Sequence, residues 1–263
     1  MKDALSYAAL VLIASLHCCS GYWLPTSTDK FQYQLAALLK TDSQLIAGVT
    51  VYDIDGFDTP KATVDTLHAT SLKAVCYING GAWENWRSDK ASFPAAAKGK
   101  NLDGWAGEKW LDIRNTALLG IMEKRVNMCA DKGFDAVEFD NVDGYTNATG
   151  FPLTADQQLA YNRALAALAH KYNMAAGLKN DVDQLADLVA DFDFAINEEC
   201  NQYNECDKYS PFVDASKPVF NVEYAGTDAN FLKKTCPKAA AAHIKSIKKP
   251  LTLYTKRLAC PDA

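Results

Sequence analysis

The chain is short of several things, and each shortage closes a class of function. After its first twenty residues it has no apolar run approaching the roughly 20 residues that cross a bilayer, so a membrane-spanning protein is not expected. It has no cluster of lysine and arginine interleaved with aromatics, and with 27 Lys+Arg against 32 Asp+Glu its net charge is -5, the wrong sign for a nucleic-acid partner. A cationic partner suits it better. Cys-x-x-Cys pairs and Cys/His clusters are missing, which removes the usual zinc sites. The glycine-rich turn G-x-G-x-x-G of dinucleotide folds and the calcium loop D-x-[DN]-x-[DN]-G are missing too. Histidine is scarce, with 4 in all, and His68, His170 and His243 fall in helix-like stretches away from any strand end. Neither a cofactor nor a metal is expected.

What is present begins with a leader. MKDALSYAALVLIASLHCCSGYW carries Lys2, an apolar run from Ala8 to Leu16 and small residues up to Ser20, the pattern of a secretion signal spanning residues 1–20. The mature chain, 21–263, is then a soluble extracellular protein of one domain, expected to act as a monomer. It keeps Cys76, Cys129, Cys200, Cys206, Cys236 and Cys260, enough for up to three disulfides in an oxidising compartment. Cys200 with Cys206 would clip a loop, and Cys236 with Cys260 would tie down the tail; Cys76 reads equally well as a buried free thiol. Several pairings remain open on spacing alone. Asn147-Ala148-Thr149 is a glycosylation sequon.

Eight short apolar runs follow one another: 31–35, 47–55, 73–80, 134–141, 174–181, 192–199, 218–224 and 250–256. Between them lie helical periodicities at 114–133, closed by Gly133, at 154–173, opened by Thr154, and at 181–192. Strand and helix alternating this often imply parallel pairing, and eight units within about 250 residues imply an α/β fold of the eight-stranded parallel β/α (TIM-type) barrel kind. An open doubly wound sheet is the alternative.

Five of the eight runs end in acid. Asp53 and Asp55 close the second, Glu138 and Asp140 the fourth, Asp181 the fifth, Glu198 and Glu199 the sixth, and Glu223 the seventh. Active sites of such barrels form at the carboxyl ends of the strands, so these residues would ring one mouth. Period-two alternation turns Glu138 and Asp140 the same way and sends Val137 and Phe139 to the helices. The same rule sends Phe220, Val222 and Tyr224 outward with Asn221 and Glu223 inward, and it favours Glu199 over Glu198. Lys179 is a lone cation for Glu138 or Asp181 to neutralise, and Asp143 adds a further acid. Paired carboxylates with loop aromatics (Trp23, Trp83, Trp86, Trp110, Tyr145, Tyr203, Tyr224) point to glycoside hydrolysis, one acid protonating the leaving oxygen while the other attacks or activates water. A carbohydrate-binding barrel without catalysis and a divalent-metal hydrolase are the alternatives.

The segments FQYQL, VYDIDGFDT, CYINGGAWENWR, GWAGEKWLDIR, KGFDAVEFDNVDGYTNATGFPLT, GLKND, FDFAINEEC and VFNVEY together resemble glycoside hydrolase family 114, secreted endo-α-1,4-polygalactosaminidases with a β/α-barrel fold. The resemblance runs from about Trp23 to Tyr224. It implies an endo-acting, retaining hydrolase of α-1,4 linkages in galactosamine-containing polysaccharide, with Asp140 in VEFDN as nucleophile. It makes Glu198 in NEEC the acid/base, against the alternation rule, because the family motif more usually reads N-E-Q-C. Phe139 stands where the family commonly has proline, and CYINGGAWE replaces CYFSAGSWE. The expected substrate contacts are Asp53, Asp55, Trp83, Glu138, Asp143, Tyr145, Lys179, Asp181, Glu223 and Tyr224, and the expected partner is a cationic or amino-sugar polysaccharide.

Overall fold

The computed structural model describes residues 21–261 and 263, so the expected leader at 1–20 lies outside the described residues. Runs rich in Val, Ile, Phe and Tyr become strands. In chain order these are β1 (Phe31–Gln34), β2 (Val51–Asp55), β3 (Lys73–Asn79), β4 (Ala82–Glu84), β5 (Lys98–Asn101), β6 (Glu108–Leu111), β7 (Ala136–Asp140), β8 (Ala175–Lys179), β9 (Phe194–Glu198), β10 (Val219–Glu223), β11 (Lys245–Lys248) and β12 (Leu258–Ala259). The main sheet has the order β1-β2-β3-β7-β8-β9-β10-β11-β12. All its pairings are parallel except the last, between β11 and β12. With helices on its outer face, this curled sheet is a TIM-type α/β fold. Among the described residues no backbone ladder joins β1 to β11. Side chains bridge that seam: Lys249 Nζ donates to Gln32 Oε1 at 3.2 Å, and Gln32 Nε2 donates to the Thr255 carbonyl at 2.8 Å.

Two apolar layers hold the structure. Inside the curl, Phe31, Tyr33, Val51, Val75, Ala136, Ala175, Phe194, Ile196, Phe220, Val222 and Ile247 pack together. Outside it, Tyr52, Ile54, Cys76, Ile78, Val137, Phe139, Leu178 and Ala195 meet the helices. Burial on both faces explains the near-continuous apolar runs. Gly177 belongs to the inner layer, where a Cβ would come within 2.5 Å of the Phe194 ring.

Helices α1 (Lys61–Ala69), α2 (Ala117–Lys132) and α3 (Ala155–Lys171) cover the outer face. Gly133 ends α2 at φ 86°, and Thr154 opens α3 in a capping box with Gln157. The stretch expected as a helix over 181–192 keeps only one α-helical turn, Leu185–Leu188. The eighth strand is corrected from 250–256 to β11, Lys245–Lys248. Pro250 cannot donate to a ladder, and the segment after it forms turns whose carbonyls at Tyr254 and Lys256 accept from Lys249 Nζ at 2.7 and 3.1 Å. Unexpected is the small antiparallel sheet β4-β6-β5, inserted between β3 and α2. Disulfides join Cys76–Cys129, Cys200–Cys206 and Cys236–Cys260, so Cys76 is not a free thiol. Among the described residues no helix is long and apolar enough to cross a membrane.

Candidate active site

Three neighbouring strands end in three charged side chains. Asp140 closes β7, Lys179 closes β8 and Glu198 closes β9. The residue after each turns the backbone into the left-handed region: Asn141 at φ 58°, Asn180 at φ 49° and Glu199 at φ 63°. Such turns cost about 1–3 kcal/mol for residues other than glycine. They swing the chain away at the rim and leave the three preceding side chains facing one another. At two of the three turns the residue is asparagine, which tolerates this conformation better than most side chains do.

Lys179 is the hub. Its Nζ lies 3.0 Å from Glu198 Oε2, 3.1 Å from Asp140 Oδ1 and 3.7 Å from Glu138 Oε1. Burial pulls its pKa down, but Asp140, Glu198 and Glu138 outweigh that and raise it well above the usual lysine range. Of the two partners expected for it, Glu138 is met and Asp181 is not. Tyr77 Oη donates to Asp140 Oδ2 at 2.8 Å, and Asn141 N donates to Asp140 Oδ1 at 2.8 Å. Tyr224 Oη donates to Glu198 Oε1, and Tyr33 Oη donates to Glu138 Oε1 at 3.1 Å. Asn180 accepts from the Glu198 backbone N–H at 3.0 Å, fixing the last residue of β9.

These groups open into a cavity of about 740 Å³. Of the residues expected to touch substrate, Asp55, Asp143 and Lys179 line it, together with Asp140 and Glu198, the two expected to react. Burial, then the charge of Asp140, pushes the Asp143 carboxyl up to about 6. Asp55 is not a free acid, because Arg87 grips it in two bonds of 2.7 and 2.9 Å. Glu138 and Asp53 lie below the rim, both fully buried. Tyr224 does not line the cavity and meets the site through its hydrogen bond to Glu198.

The others are directed elsewhere. Asp181 is buried, accepts from Asn162 Nδ2 at 2.9 Å and pairs with Tyr145, so these two form a contact beside the cavity rather than its wall. Trp83 donates from Nε1 to the Lys90 carbonyl at 3.0 Å, and Lys98 Nζ lies 4.3 Å over its ring, which leaves it outside the cavity lining. Glu223 accepts from Asn201 N at 2.9 Å and from Asn221 Nδ2 at 2.9 Å, on the side of the sheet away from the cavity. The alternation rule is therefore reversed on β9 and β10. Phe194, Ile196, Phe220 and Val222 fill the interior, and Glu198 and Tyr224 follow them inward. An apolar side chain need not face the helices when the barrel's own lower layers are apolar.

Several lining residues escaped the sequence reading: Tyr33, Tyr77, Arg87, Glu108, Trp105 and Asn180. Glu108 accepts from Asn79 Nδ2 at 3.1 Å, and burial pushes its carboxyl up to about 7. The aromatic wall consists of Trp86, Trp105 and Trp110, with Trp86 50% and Trp105 52% exposed. The signal was there in ENWR and GWAGEKW, whose tryptophans stand among polar residues.

A parallel barrel with two carboxylates meeting at its carboxyl-end rim, beside an aromatic-walled cavity, is the arrangement of a glycoside hydrolase. The family model for Glycoside-hydrolase family GH114 matches residues 15–263, and the chain belongs to that family. Its structure is similar to that of Aspergillus fumigatus Ega3 in complex with galactosamine, at 36% identity and a TM-score of 0.84, covering 90% of this chain and 97% of that one. The glycoside hydrolase domain of PelA from Pseudomonas aeruginosa shares the fold at 11% identity, with a TM-score of 0.68 over 90% of this chain and 99% of that one. A protein of Deinococcus radiodurans is 27% identical over 242 residues, 84% of this chain and 77% of the relative.

Proposed function

We propose that this glycoside hydrolase is exported and cleaves internal α-1,4 linkages of galactosamine-containing polysaccharide with retention of configuration, Asp140 acting as nucleophile and Glu198 as acid/base. The observation that carries the reading is the shared ammonium. Asp140 Oδ1 and Glu198 Oε2 both contact Lys179 Nζ, at 3.1 and 3.0 Å, so these two oxygens lie at most about 6 Å apart, which supports the closer carboxyl spacing of retaining enzymes.

In the first step an Asp140 oxygen bonds to the anomeric carbon. The glycosidic C–O bond breaks and Glu198 gives its proton to the leaving oxygen. In the second step Glu198 takes a proton from water, whose oxygen displaces Asp140. Tyr77 and Asn141 hold the nucleophile's oxygens, and Tyr224 holds Glu198. Asp58, Asp103 and Asp143 along the cavity favour an ammonium-bearing sugar, while Trp86 and Trp105 offer stacking faces. Similarity to a structure that binds galactosamine supports the choice of sugar. Three disulfides support export.

Asp140→Asn is expected to lose at least about a thousandfold in kcat while still binding polymer. The readout is new reducing ends on galactosaminans of graded acetylation, with the anomer of the first product followed by NMR. A normal rate in Asp140→Asn removes the assignment. Binding without cleavage by the unmodified protein favours a lectin, and loss of activity in EDTA favours a metal hydrolase.

A further inference from the structure

Below the rim the barrel holds an acid pair that this reaction leaves unused. Asp53 on β2 and Glu138 on β7 are both 0% exposed. Neither oxygen of Asp53, nor Oε2 of Glu138, receives a hydrogen bond from an N–H group or a hydroxyl. The two carboxyls instead lie within hydrogen-bonding contact of each other. Two carboxylates in contact repel, and a buried carboxylate without a donor is strongly disfavoured. A single proton between them removes both penalties, since a neutral Asp53 donates its O–H to an ionised Glu138.

We propose that Asp53 and Glu138 share one proton and serve as positioning residues, presenting one negative charge that centres Lys179 between Asp140 and Glu198. The connection runs through named contacts. Glu138 Oε1 accepts from Tyr33 Oη at 3.1 Å and lies 3.7 Å from Lys179 Nζ, and the Tyr33 ring centroid is 5.7 Å from the same nitrogen. With two charges behind it, Lys179 would be drawn down from the rim; with none, it would swing wholly to the reacting acids. Burial raises both carboxyls above their ordinary range, and for Asp53 the neighbouring charge of Glu138 adds to this. The pair is faced by Tyr33 from β1, Tyr77 from β3, Asp140 on β7, Lys179 from β8, Glu198 from β9 and Tyr224 just after β10.

The role rests on Asp140 and Glu198 being the reacting pair, whereas the shared proton does not, so the test has two arms. Glu108 and Asp181 are also raised into or above the neutral range, so the infrared difference between the unmodified protein and Asp53→Asn near neutral pH should show one further carbonyl band of a protonated carboxylic acid in the former. No difference between the two overturns the shared proton, whatever the activity. In the kinetic arm, Asp53→Asn offers Glu138 an N–H in place of the O–H and should keep kcat within about threefold, with an unshifted pH profile. Asp53→Ala, leaving Glu138 without a donor, should lower kcat about tenfold or more with KM little changed and the pH profile displaced. An Asp53→Asn variant as impaired as Asp53→Ala overturns the positioning role, because it shows that Asp53 acts through a charge. Should the alanine variant not fold, the spectra and the asparagine variant decide the matter.

Discussion

Charge at single residues is set here by what burial allows. Asp181 shows this outside the proposed reacting pair. Burial, followed by the charge of Asp143, pushes its carboxyl up to about 8, while in the unfolded chain it titrates near about 4. Between those values the folded state holds a proton that the unfolded state has released. Stability therefore falls as pH rises from about 4 through about 8. Asp181→Asn has no proton to lose, so its melting temperature should vary less between about pH 5 and 8 than that of the unmodified protein; equal slopes in thermal scans would contradict the account. The inward aim of Asp140 was legible in VEFD, because Val137 and Phe139 alternate with the acids and do face the helices. Glu198 was legible only through its family motif. Its strand carries Phe194 and Ile196 on the inner face, so polarity alternates in the opposite sense from β7. Arg87 was hidden for a different reason: 32 residues separate it from Asp55, and sequence gives no measure of such a pairing.

At the scale of elements, the site depends on how closely loops approach. Gly80 N and Gly81 N both donate to the Asp140 carbonyl, at 2.9 and 3.0 Å, tying the end of β3 to the end of β7. A Cβ on Gly81 would lie 1.7 Å from the Asn141 carbonyl oxygen, a backbone atom that moves only with its segment. Asn141 holds Asp140, so the displacement passes to the proposed nucleophile. Gly81→Ala should lower kcat about a hundredfold with far-UV circular dichroism unchanged; a normal rate would show that the segment yields without moving Asp140. The long helices were readable because they carry their own signals, Gly133 at one end and Thr154 with Gln157 at another. The small sheet β4-β6-β5 was not, since strands of three and four residues are too short to show a period. The eighth strand, KSIK, offers one buried apolar side chain, Ile247, and so carries a weaker strand signal than the more apolar PLTLYTK.

Over the whole molecule, the disulfides divide unequally. Cys76–Cys129 spans 53 residues and fastens β3 to α2, whereas Cys200–Cys206 spans 6 and trims a local turn. In the chain-entropy picture the first contributes about 4 kcal/mol and the second about 2 kcal/mol. Replacing Cys76 and Cys129 together by alanine should therefore reduce the unfolding free energy in denaturant titrations roughly twice as much as replacing Cys200 and Cys206. Equal losses would argue that strain or unfolded-state structure dominates. The seam between β1 and β11, bridged by Gln32, Lys249 and Thr255, has a temporal meaning as well. A chain cut short after Ala242 would lack β11 and leave the outer edge of β10 bare, with Phe31 and Phe220 opened to water from one side. Such a fragment is a candidate for self-association, and the growing chain passes the same hazard each time it is made, until β11 arrives to cover that edge.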